Sequence, residues 1–186
     1  RDSFMASFPR LCDLANAPAD RVMQAWAGLG YYSRARNLHA SAKRCVALHN
    51  GSLPEDFEAL LALPGIGRST AGAILSQAHG ARHAVLDGNV KRVLSRVFTP
   101  QGKAGSSALD NRLWQLAESL LPADNLANYT QALMDLGATL CTRSKARCSD
   151  CPLRSSCRAL NDDCIADFPA RKKRAALPQQ ERFMLV

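Results

Sequence analysis

No run in this sequence approaches the roughly 20 consecutive apolar residues needed to cross a bilayer, so no membrane-spanning role is expected. There is no internal repeat and no low-complexity tract. Strand-like alternation is missing until Phe183-Met184-Leu185-Val186, which removes a sheet as the organiser of the core. The chain begins Arg1-Asp2-Ser3 without an initiator Met, so the true N-terminus is expected upstream and a missing targeting peptide carries no argument. Cysteine lacks the even, spread-out count of a secreted disulfide framework. Of seven, Cys141, Cys148, Cys151 and Cys157 crowd together, while Cys12, Cys45 and Cys164 are scattered. That pattern points to a metal site in a reducing compartment.

What is present suits a globular chain with a real core. Its 186 residues are 47% hydrophobic and 22% charged, enough for one domain or two small lobes. Lys and Arg total 24 against 16 Asp and Glu, and the net charge of +8 suits a polyanionic partner without identifying one. Apolar spacing reads as helix nearly everywhere. Leu38, Ala42, Cys45 and Val46 mark one face of a helix over 33–49, and Leu109, Leu113, Leu116 and Leu120 mark another. Leu126, Tyr129, Leu133, Leu136 and Leu140 predict an amphipathic helix running straight into Cys141. Asn16-Ala17-Pro18 opens a helix, Asn50-Gly51 closes one, and Ser52-Leu53-Pro54 starts the next. Gly80-Ala81-Arg82-His83 has no periodic apolar face and is expected to separate a lobe over 1–82 from one over 83–165. Residues 166–186 begin a basic, Pro-bearing linker.

Four segments carry chemistry. In Leu63-Pro64-Gly65-Ile66-Gly67-Arg68-Ser69, glycines two apart between apolar helices let a backbone approach closely, and the next helix offers free N–H groups that can bind a phosphate. The same turn also reads as an ordinary αα-corner. Val85-Leu86-Asp87-Gly88-Asn89-Val90 reads first as a helix cap, with Asp87 at the N-cap. A helix N-terminus also favours an ionised carboxylate, which a cationic transition state would use. The cluster C-x6-C-x2-C-x5-C can enclose a zinc ion or an iron–sulfur cluster, and ligand count alone does not decide between them. Its first loop, Thr142 to Arg147, carries three cations and reads as a phosphate-contacting loop or as a solvated one. In Gly28-Leu29-Gly30-Tyr31-Tyr32-Ser33-Arg34, two aromatics follow a Gly-bounded turn and could wedge into a base stack. Adjacent tyrosines are otherwise expected as one buried and one half exposed. Trp26 and Trp114 read as core.

These segments, in this order and spacing, resemble the adenine-removing MutY family within the helix-hairpin-helix iron–sulfur DNA glycosylases. The resemblance covers nearly the whole chain. It implies an all-α fold of two helical lobes, with a helix-hairpin-helix in one, a 4Fe-4S cluster loop in the other and a DNA-binding cleft between them. It assigns Cys141, Cys148, Cys151 and Cys157 to the 4Fe-4S cluster and Asp87 to stabilising the sugar cation. Asn89 would hold that carboxylate, Tyr31 would intercalate and Tyr32 would pack. Gly65, Gly67, Ser69, Arg143 and Lys145 would contact DNA, with Asp87 and Ser69 facing the cleft from opposite sides.

The implied partner is double-stranded DNA bearing an A:8-oxoguanine or A:G mismatch, met by a monomer in the bacterial cytoplasm at the nucleoid. Endonuclease III-type relatives use a lysine just after the hairpin to cleave the strand. Ser69 stands there and cannot form a Schiff base, so the chain resembles the monofunctional branch. The family's acid, a glutamate that protonates adenine at N7, belongs to a helix expected before Arg1, and Glu55 and Glu58 do not match its motif. The segment Leu177-Pro178-Gln179-Gln180-Glu181-Arg182-Phe183 resembles entry into the domain that recognises 8-oxoguanine. The expectation is a fragment of a longer enzyme, inactive alone. The alternative is a DNA-binding iron–sulfur module without chemistry.

Overall fold

The computed structural model describes residues 2–170. Of the basic segment expected over 166–186, residues 171–186 lie outside the described residues, and the strand expected at 183–186 lies there too. The described residues are helical and contain no strand. No helix among them is long and apolar enough to cross a membrane.

Three short helices, α1 (Asp2–Ser7), α2 (Leu11–Asn16) and α3 (Ala19–Ala25), fold around the start of the long α4 (Tyr32–Leu48). Phe4 anchors this core, with its ring centroid 5.0 Å from Trp26 at an edge-to-face angle and 5.1 Å from Phe8. The Trp26 indole N–H donates to Gly30 O at 2.8 Å, which satisfies its polar edge and fixes the turn before α4. Helix α4 buries Ala35, Ala42 and Cys45 along with His39 and Ser41. Leu38 and Val46, expected on the buried face, are exposed. Small side chains let α2 and α3 come close to α4, which rotates the apolar stripe away from its two largest members.

Helices α5 (Phe57–Leu61) and α6 (Arg68–His79) form the hairpin. They share a core with α4 through Cys45, Leu60, Leu63, Ala71 and Leu75. Fully burying a Leu is worth roughly 1.5–3 kcal/mol, so Leu60 and Leu75 largely hold this short pair together. The start expected at Ser52-Leu53-Pro54 is not the observed one. Asp56 is the N-cap, accepting from Ala59 N–H at 2.8 Å.

Helices α7 (Gly88–Phe98), α8 (Ser107–Ser119) and α9 (Leu126–Asp135) follow, and α7 is the shared wall of two cores. Val90 and Leu94 face Leu109, Leu113 and Leu126. Val93 and Val97 face Cys157 and Ala159, the latter on α10 (Arg158–Asn161). A helix apolar on two sides belongs in the interior, and α7 buries six of its residues. Left-handed Gly80 ends α6. The segment after it lies along α6: a Cβ on Gly72 would stand 2.3 Å from Ala84 O, so only glycine permits the approach. Helix α6 also packs on α9, where Gln77 Nε2 donates to Gln131 Oε1 at 3.0 Å.

Candidate functional site

The hairpin turn is held from behind by α4. Gly65 has φ +78°, and a Cβ there would lie 2.7 Å from Asn37 Cβ. Ser41 Oγ donates to Pro64 O at 2.8 Å, and Arg44 Nη1 donates to Ala62 O at 2.6 Å. These side chains stand four and three residues apart, on one face of α4. In front, Gly65 and Gly67 are exposed. Gly67 caps α6 without a side-chain hydrogen bond, and the space beside its Cα is open. Bare N–H groups at a helix start can donate to an anionic oxygen. Arg68, the first residue of α6, turns away: its guanidinium lies 3.8 Å over the Trp114 ring and pairs with Glu118 at 2.5 Å. Trp114 is therefore part core and part platform.

Asp87 caps α7, its Oδ1 accepting from Val90 N–H at 2.7 Å. Its other oxygen accepts no hydrogen bond from the described residues, which leaves it able to face a developing positive charge. Ser69 Oγ accepts from Leu86 N–H at 3.0 Å. The serine therefore abuts the backbone that carries Asp87, rather than facing it across a cleft. Asn89, expected to hold the Asp87 carboxylate, is instead turned along α7, and its Oδ1 accepts from Arg92 Nη2 at 3.0 Å. That guanidinium also reaches Gly137 O at 2.6 Å and Cys141 O at 2.7 Å.

Those contacts explain how the chain enters the cysteine loop. Helix α9 does not run as a plain α-helix into Cys141; Leu136–Leu140 form a π turn, with Cys141 N–H donating to Leu136 O at 2.8 Å. A Cβ on Gly137 would lie 2.6 Å from Asn89 Cβ, so α7 presses on this turn while Arg92 draws out two of its carbonyls. Beyond Cys141, short 3₁₀ turns at Cys148–Asp150 and Arg154–Ser156 replace longer helix. Cys141, Cys148, Cys151 and Cys157 all line one cavity, together with Val93, Leu136, Ile165 and Arg96. Burial pushes the Cys148 thiol above its usual pKa, and the charges of Cys141, Cys157 and Cys151 push it further against Arg96. Among the described residues, no three His, Cys, Asp or Glu side chains converge on a single-ion site. The donor set is four soft sulfurs in a mostly apolar pocket, which suits thiophilic metals.

Sequence reasoning missed Arg92 and Arg96. Arg96 is 3% exposed and donates four hydrogen bonds into the cysteine loop and the segment after it. The available signal was a cation three residues after Val93, inside the apolar stripe of α7.

Tyr31 stands 76% exposed in the left-handed region at φ 46°, with the Arg34 guanidinium 5.3 Å from its ring centroid. Tyr32, expected to pack, is 45% exposed; as the first residue of α4 it lies outside the face that meets α2 and α3. Arg143 and Lys145 are exposed while their backbones are pinned, Arg143 O by Arg96 at 3.2 Å and Lys145 O by Thr142 Oγ1 at 2.7 Å.

This arrangement has counterparts among known proteins. The adenine DNA glycosylase of Buchnera aphidicola from Acyrthosiphon pisum is 37% identical over 183 residues, covering 98% of this chain and 52% of that protein. The human adenine DNA glycosylase is 46% identical over 157 residues, covering 84% of this chain and 29% of that protein. The chain thus spans about half or less of the length of these relatives. A solved thermostable thymine-DNA glycosylase superposes with a TM-score of 0.75 at 27% identity, covering 87% of this chain and 74% of that one. The model of the HhH-GPD superfamily base excision DNA repair proteins matches residues 1–119, and the chain belongs to that superfamily.

Proposed function

We propose that this chain is core machinery of a monofunctional adenine DNA glycosylase, hydrolysing the N-glycosidic bond of adenine opposite 8-oxoguanine or guanine in duplex DNA. The observation that carries the reading is the Ser69–Leu86 hydrogen bond, which ties the hairpin helix to the backbone of Asp87. A phosphate bound at Gly65 and Gly67 would then stand in fixed register with the carboxylate. As the glycosidic bond breaks, positive charge grows on the sugar, and a preorganised carboxylate stabilises it. Ser69 offers no amine for a Schiff base, so excision leaves the strand intact. Tyr31 is the wedge that fills the stack when the base leaves, and its exposure supports that role. Arg143 and Lys145 approach phosphates as point charges from a pinned loop.

The four cysteines hold a 4Fe-4S cluster in this reading. Their common cavity and the C-x6-C-x2-C-x5-C spacing support it. The cluster's contribution is to order the loop and its cations.

Asp87→Asn, made in the protein as its gene encodes it, tests the chemistry. The amide keeps the shape and the cap but removes the charge. Single-turnover excision from an A:8-oxoguanine duplex should slow by about 10²-fold or more, with duplex affinity little changed, because the ground-state sugar is neutral. Near-parental excision by a folded variant would reduce Asp87 to a helix cap and remove the catalytic assignment.

A further inference from the structure

The cavity lined by the four cysteines contains one buried cation with no carboxylate beside it. Arg96 is 3% exposed, yet no Asp or Glu among the described residues lies within ion-pair distance. Its Nε donates to Phe168 O at 3.0 Å, Nη1 to Thr142 O at 2.8 Å and to Cys141 Sγ at 3.3 Å, and Nη2 to Arg143 O at 3.2 Å. Arg96 also meets a second cysteine, since its own carbonyl lies 3.5 Å from Cys157 Sγ. Carbonyls satisfy its N–H groups but carry no net charge, and a buried guanidinium without a counter-charge is costly. Arg147 and Arg154 line the same cavity but are exposed, so solvent screens them. Among the described residues, the groups positioned to balance Arg96 are the cysteine sulfurs, which carry negative charge once they bind metal.

We propose that Arg96 is the buried counter-cation of the cysteine-bound iron–sulfur cluster, donating an N–H···S hydrogen bond to Cys141 and raising the cluster's reduction potential while retaining its metal. The inference rests on the 4Fe-4S reading above. Cluster potentials depend on net charge, hydrogen bonds to sulfur and exposure. Arg96 acts on the first two directly, and its burial keeps its charge unscreened. It is a positioning residue and touches no substrate.

The test compares Arg96→Gln, Arg96→Lys and Arg112→Gln in the anaerobically purified holo-protein, reading iron and sulfide content and the one-electron midpoint at an electrode. Arg112 is exposed and, among the described residues, bonds Gln101 O alone, so its loss controls for net charge. Arg96→Gln should shift the midpoint to more negative potential, Arg96→Lys should lie closer to the unsubstituted protein, and Arg112→Gln should not move it. An unchanged midpoint in an iron-replete Arg96→Gln protein overturns the proposal and leaves the cluster reading intact. Absence of iron from the unsubstituted protein overturns both. Should Arg96→Gln lose its iron, iron content decides: retention by Arg96→Lys supports the charge role, and equal loss overturns it.

Discussion

At the hairpin, α4 holds the turn with Asn37 packed beneath Gly65 and with Ser41 and Arg44 donating to carbonyls. At the cysteine loop, α7 holds the chain with two arginines that bind five backbone carbonyls and one sulfur between them. The hairpin stands on an apolar core of Leu60, Leu63 and Leu75 shared with Cys45 of α4. The cysteine loop has short 3₁₀ turns, and the four cysteines line a cavity beside the core that Val93 and Val97 share with Cys157 and Ala159. One site is held by packing and backbone hydrogen bonds, whereas the other gathers cations around four sulfurs and, on the 4Fe-4S reading proposed above, is completed by the cluster. The difference teaches that the two proposed DNA-contacting elements should fail separately.

The largest separation should come from Cys148→Ser. If the four cysteines hold the proposed cluster, removing one should release iron and melt the loop over 141–165, because metal binding contributes folding free energy. Hydrogen exchange should then show lost protection across that loop while α6 stays protected. If α6 opens equally, the two regions form one cooperative unit and the comparison breaks.

A smaller effect should come from paired substitutions in the hairpin. Gly65→Ala puts a Cβ at positive φ and 2.7 Å from Asn37 Cβ, which α4 cannot yield without moving. It should cost about 2–3 kcal/mol in urea unfolding. Gly67→Ala meets nothing within 4 Å and should cost under about 1 kcal/mol, yet weaken duplex binding by holding a phosphate off the backbone. Equal stability losses at the two glycines would show that the turn is not backed by α4 as described.

The smallest effect should come from Arg143→Ala or Lys145→Ala. Each should weaken binding alike for matched and mismatched duplexes and lower the salt dependence by about one ion. An unchanged salt slope in titrations would return this loop to the status of a solvated surface.

The sequence alone determined the features that depend on local chemistry. Asp87 as N-cap, the glycine turn at Gly65 and the end of α4 near Asn50-Gly51 follow from residue type and spacing, because caps and positive-φ turns are satisfied within a few residues. The gathering of Cys141, Cys148, Cys151 and Cys157 was legible for the same reason. Tertiary packing decided the rest. Whether Leu38 is covered depends on how closely α2 and α3 meet the small residues of α4, and spacing within α4 does not carry that information. The π turn before Cys141 arises because α7 presses on Gly137 and Arg92 captures carbonyls 45 and 49 residues away. Asn89 follows Arg92 rather than Asp87 for the same reason. In sequence, Arg96 is one of 24 Lys and Arg residues. Only the fold, by closing the cysteine loop over α7, buries that charge against sulfur, and burial is what makes a charge matter.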